Sequence, residues 1–169
     1  MAAGATYTPI ATNTLGSTTT TVTFNSISGS YTDLILIFNG KCTTGTTNQM
    51  KLNFNSDTGT NYSGTYLTGD GTSAASGRVT NTTYARIGYF VLVDSTNGAN
   101  MISHIQNYSN STTYKTILSR LDRGSGNDSG ALAAVNLWRS TSAITRIDIT
   151  ASNDFASGST FTLYGIASA

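Results

Sequence analysis

Apolar and polar residues alternate along most of this chain in short blocks, and bends rich in Gly, Ser and Asn separate the blocks. A period of two over about 4–8 residues is the signature of a strand with one covered face. In Thr21 to Ile27, Val22 and Phe24 point one way while Thr21, Thr23 and Asn25 point the other. Gln49 to Asn55 sets Met50, Leu52 and Phe54 against Lys51 and Asn53. Asp33 to Phe38 is apolar on both faces, which predicts a strand covered by a second sheet on one side and a neighbouring subunit on the other. Ala131 to Trp138 places Leu132, Ala134, Asn136 and Trp138 on one face and Ala133, Val135 and Leu137 on the other. A short helix is the competing reading there, but helices usually need about ten residues or more.

Further strands are expected around Tyr62 to Leu67 and over Tyr84 to Val93, Ala99 to Tyr108, Tyr114 to Leu121, Ile144 to Ile149 and Phe161 to Ile166. Asn97-Gly98 is a type I′ hairpin signal, so Tyr84 to Val93 is expected to pair antiparallel with Ala99 to Tyr108. Thr72 to Gly77 reads as a long loop, and Gly124 to Asp128 as a flexible one. About nine to eleven strands at roughly 8–12-residue spacing predict an all-β fold, an antiparallel β-sandwich. The turn-rich stretch from Gln49 to Gly77 favours a jelly-roll or Greek-key path over an up-and-down barrel. No internal repeat points to a solenoid or propeller.

Composition supports strands. The chain has 169 residues, enough for one domain. We expect residues 1–12 to form an N-terminal arm or edge strand and 13–169 a single β-sandwich domain. Only 10% of residues are charged and none is Glu, so the polar surface is built from Ser, Thr, Asn and Gly, which are poor helix formers. A formal net charge of +1 gives no electrostatic footprint for nucleic acid or an anionic membrane. No apolar run approaches the ~20 residues of a membrane-spanning helix. The N-terminus lacks the basic and apolar regions of a signal peptide, so synthesis in the cytoplasm is expected. Cys42 stands alone and reads as a small buried hydrophobe.

Residues that could carry chemistry are few. The single His104 sits in a strand beside Ile102 and Ile105 without a nucleophile motif, and reads as a surface or interface residue. Asp57-Thr58-Gly59 matches the tripeptide of aspartic proteases, but its polar approach from Asn55 and Ser56 favours a plain Asp-x-Gly turn. One Cys and one His are too few for a zinc site, and no EF-hand spacing is present. No catalytic, cofactor or metal residues are therefore expected, and the chain is read as a non-enzyme. Tyrosine and tryptophan rings offer platforms on which a sugar could stack; Tyr62, Tyr66 and Trp138 are the candidate glycan contacts.

Several blocks together resemble small virion-associated proteins of tailed phages, frequent among phages of aquatic bacteria. They are Tyr31 to Ile37, Phe54 to Ser63, Tyr66 to Gly71, Asn107 to Asn110, Leu137 to Ile144 and Phe161 to Ile166. The resemblance covers nearly the whole chain and rests on pattern, not on a chemical motif. It implies a virion structural protein. The leading expectation is a capsid decoration, or cement, protein that forms a homotrimer and stabilises the head by contacts with the major capsid protein or other virion proteins. A tail or fibre module that binds host cell-surface glycan is the alternative. Decoration needs contact area and closed symmetry. The candidate contact residues are Tyr7, Pro9 and Ile10 in the N-terminal stretch, suited to edge-strand augmentation, together with Ile35 and Ile37.

Overall fold

The computed structural model describes residues 6–45, 48–88, 98–125 and 128–167. Among them the regular structure is all strand, arranged in two antiparallel sheets. The larger sheet has eight strands in the order β1 (Tyr7–Thr14), β12 (Thr160–Ile166), β3 (Asp33–Gly40), β8 (Ala99–Gln106), β9 (Lys115–Ser125), β10 (Asp128–Trp138), β5 (Tyr62–Gly69) and β6 (Ala74–Thr82). The smaller has four, in the order β2 (Thr19–Phe24), β11 (Ile147–Phe155), β4 (Met50–Phe54) and β7 (Ala85–Gly88). The chain passes repeatedly from one sheet to the other, and the two form a sandwich-like arrangement around one core. β1 is hydrogen-bonded into the large sheet through β12, so the expected boundary after residue 12 falls inside a strand.

The alternation read from the sequence fills the core. Leu34, Leu36 and Phe38 of β3, Leu132, Ala134 and Trp138 of β10, and Met50, Leu52 and Phe54 of β4 are all buried. Phe38, Phe155 and Phe161 pack together with ring centroids 4.8–5.8 Å apart. Several buried polar groups pair with one another or with the backbone, as burial demands. The Ser103 and Ser119 hydroxyls pair at 2.8 Å. The ammonium of buried Lys115 donates to the carbonyls of Thr113 (2.7 Å) and Thr141 (3.2 Å), and burial pushes its pKa down. Buried Asn136 of β10 reaches across to β7. Its Oδ1 accepts from the Arg86 N–H at 3.0 Å and its Nδ2 donates to the Arg86 carbonyl at 2.9 Å. A side chain thus reproduces the bonds of a strand pair and ties the two sheets along one side.

Three local expectations need correction. Thr72 to Gly77 is not all loop, because from Ala74 onward it belongs to β6, paired with β5. An edge strand needs no apolar alternation; its backbone bonds to a single neighbour hold it. The region read as flexible around Gly124 is largely strand. β9 runs to Ser125 and β10 starts at Asp128, with those two residues paired; only residues 126 and 127 lie outside the described chain. The hairpin expected at Asn97-Gly98 does not join its two segments as far as they are described. β7 lies in the small sheet against β4, whereas β8 pairs with β3 and β9. Residues 89–97 lie outside the described chain.

Cys42 is fully buried, and burial, helped by nearby Asp154, pushes its thiol up to about 12. The thiolate is the reactive form. We therefore expect no labelling of the folded protein by a disulfide reagent near pH 8, and full labelling once denaturant unfolds it. Rapid labelling without denaturant would show that the Phe155 end of the core opens.

Candidate interaction surface

The inner face of the large sheet packs on the small one, so its other face carries the remaining side chains of every strand. The strand register places them in rows. One row across the outer face runs Thr162, Ile37, Ile102, Arg120, Ala133, Leu67 and Ser76. The next runs Tyr164, Ile35, His104, Leu118, Val135, Thr65 and Arg78. Tyr7 and Pro9 of β1 extend the face at its β12 edge, where the Tyr7 ring meets Tyr164 edge-on at 6.4 Å.

Scattered exposed apolar residues are ordinary, whereas a contiguous patch marks a contact surface. Here they are gathered. Of the six large apolar side chains exposed among the described residues, Tyr7, Ile37, Leu67, Leu118 and Val135 share this face, each between 38% and 60% exposed. Between Ile37, Ile102, Ala133 and Leu67 the face holds a concavity of about 710 Å³. A polar ladder borders it. Asn39 Nδ2 donates to Asn100 Oδ1, and Asn100 Nδ2 donates to Asp122 Oδ2 at 3.2 Å. Arg120 stands among the aliphatic residues, exposed and without a hydrogen-bond or ion-pair partner among the described residues.

The sequence-derived contact residues divide. Tyr7 and Pro9 are exposed on β1, and the strand carries a bulge between Pro9 and Ala11. Ile10 is half-buried and packs against the core, so the bulge turns its side chain away from a docking role. Ile37 is exposed, but Ile35, although on the same face, is only 5% exposed between its register neighbours Tyr164 and His104. Sequence reading missed Leu67, Ile102 and Leu118. Each sits in a strand whose two-sided apolar character is diluted by Ser, Thr, Asn or Arg. The signal that did exist was the doubly apolar pattern of β3 and β10, whose outer residues lie on this face.

Two of the three glycan candidates are corrected outright. Tyr62 is fully buried and Trp138 is 2% exposed, so neither offers a ring to a sugar. Both serve the core at the end of the sandwich. Trp138 stacks on Tyr62 with centroids 6.3 Å apart and packs on Phe54 at 5.3 Å. Its Nε1 donates to Asp57 Oδ2 at 2.7 Å. Asp57 Oδ1 accepts from the Gly59 N–H at 2.8 Å, and Asn61 Nδ2 donates to both carboxylate oxygens. The Asp-Thr-Gly tripeptide is thus a turn locked to the core. Burial alone would raise the Asp57 pKa, but these donors outweigh it and hold the carboxyl below its usual range. Tyr66 is half-buried and packed against the core.

His104 on the outer face pairs through Nε2 with Asp33 Oδ2 at 2.9 Å, and the other Asp33 oxygen accepts from the Asn107 N–H at 2.6 Å. The pair has the base and orienting carboxylate of a nucleophilic device. No hydroxyl is bonded to His104 among the described residues, however, and the nearby Ser103 points into the core and bonds Ser119. The carboxylate fixes the half-buried imidazole on the outer face of the sheet. No protein-family model matches this chain, and no curated protein matches it either.

Proposed function

We propose that this chain is a non-enzymatic structural protein of a tailed-phage particle, a decoration protein that stabilises the head by surface contacts. The observation that carries the reading is the gathered apolar outer face of the eight-stranded sheet, with exposed β1 beside it. A monomer that worked alone would gain solubility from charges on such a face. The low charge of the whole chain suits contacts built from shape and neutral hydrogen bonds, which salt screens little. The same reading takes the strand path as an elaborated jelly roll and assigns the docking role to Ile37, Leu67, Leu118 and Val135 on the face and to Tyr7 and Pro9 on the edge. The glycan-binding alternative loses Tyr62 and Trp138 as platforms and has no observation in its favour.

The test uses particles. Shells stripped of the chain are expected to melt several degrees lower than complete ones, and adding back the purified protein should restore the difference. Equal melting with and without it would remove the decoration role.

A further inference from the structure

We infer that the apolar outer face of the large sheet takes a second copy of this chain, sheet against sheet, about a two-fold axis. The inference rests on the structural role proposed above and names the partner of that same surface.

Size comes first. From β12 to β6 the face spans seven strands and four rows, about 30 Å by about 20 Å at the usual strand and residue spacings. That is about 600 Å² per copy before side chains widen it, so two copies supply about 1,200 Å², the lower bound for a specific stable interface. Two sheets packed face to face about 10 Å apart interdigitate their side chains as the halves of a sandwich do.

Charge then selects the occupant. Among the described residues, β9 at the middle of the face offers one unpaired cation, Arg120, and two residues along the same strand one anion, Asp122, whose partner is the neutral Asn100, while the exposed Arg78 lies out on the edge strand β6. Arg120 and Asp122 are both exposed. Asp33 and His104, an acid and a base on the neighbouring strands β3 and β8, already satisfy one another. A foreign partner would have to present a matching pair of opposite charges at the same spacing. A second copy does so by symmetry. A two-fold axis lying in the interface along the row of Arg120 sets Ile37, Ile102, Ala133 and Leu67 on their equivalents and the two Arg120 residues opposite each other, so each guanidinium turns along its strand by about 7 Å, two residues, toward the other copy's Asp122 carboxylate. Such a contact is isologous and closes on itself. It leaves the β1 and β6 edges open for contact with the shell or for a three-fold arrangement of pairs.

The experiment is a charge exchange read by sedimentation. The full-length wild type is expected to sediment as an even-numbered oligomer. Arg120→Asp and Asp122→Arg, both at exposed positions, should each stay folded with the wild-type circular dichroism spectrum, halve the mass and weaken pairing about a hundredfold or more, the scale for placing like charges across an interface. Mixing the two single variants should restore a one-to-one pair, because the two neighbouring carboxylates of the first variant then face the two neighbouring guanidinium groups of the second. A wild type that stays monomeric at about 100 μM, an odd-numbered oligomer unaffected by either substitution, or a mixture that stays unpaired would each overturn the inference. Pairing that survives when shells gain no stability rejects the particle role alone. Shell binding that survives without pairing rejects the pairing alone.

Discussion

Trp138→Ala is expected to cost the fold about 3–5 kcal/mol, the range for truncating a large aromatic residue in a core. The indole is 2% exposed, and it touches Phe54 and Tyr62 while bonding Asp57. Its loss leaves a cavity and removes a donor from a carboxylate that the protein keeps ionised. Chemical denaturation should show the midpoint falling with little change in slope. Trp138→Phe separates the two parts. It keeps most of the ring packing and loses the bond to Asp57, so a smaller cost of about 1–3 kcal/mol is expected. The pH dependence has a definite sign. Because the folded Asp57 pKa lies below its unfolded value of about 3.9, the stability it lends is complete above that value and is lost as pH falls through the folded one. Trp138→Phe should therefore flatten the acid limb of the stability curve. An acid limb as steep as that of the wild type would mean that Trp138 does not hold the carboxylate.

The second large effect concerns the link between the sheets. Asn136→Leu would leave the N–H and carbonyl of Arg86 without the amide that satisfies them, at about 1–3 kcal/mol for each buried group. A loss of about 2–5 kcal/mol is expected, with faster hydrogen exchange of the Arg86 amide. Gly64 supplies an independent check. It lies opposite Asn136 on β5, and a Cβ there would come within 2.5 Å of Asn136 Oδ1. Gly64→Ala should displace the amide and reproduce part of the same loss. If Asn136→Leu melts within about 0.5 kcal/mol of wild type, the scale of ordinary surface changes, the small sheet is held by apolar packing and by other links such as the Phe54 N–H to Tyr62 hydroxyl bond rather than by this amide.

What the sequence made legible follows from what each signal depends on. Strand alternation is local, so β2, β4 and β10 could be read from neighbours in the chain, including the inward set of Leu132, Ala134, Asn136 and Trp138. β6 could not be read, since an exposed edge such as Ala74–Thr82 needs only backbone bonds to β5. The Asn97-Gly98 signal is local too, but strand partnership is decided by the sandwich, which sends β7 to one sheet and β8 to the other. The doubly apolar β3 pointed to a covered outer face. The face itself, assembled from β3, β8, β9, β10 and β5, emerges only once the register aligns Ile37 with Ile102, Ala133 and Leu67. Trp138 shows the same limit from the other side. Its ring looked available for a ligand because Asp57, the group that captures it, lies 81 positions earlier in the chain.

An image of the assembled particle at side-chain detail decides whether the apolar face is a docking surface. The outer face of the eight-stranded sheet, with Ile37, Leu67, Leu118 and Val135, is expected to be covered by protein there. A particle in which that face stands open to solvent, while the chain is held through another surface, would contradict it.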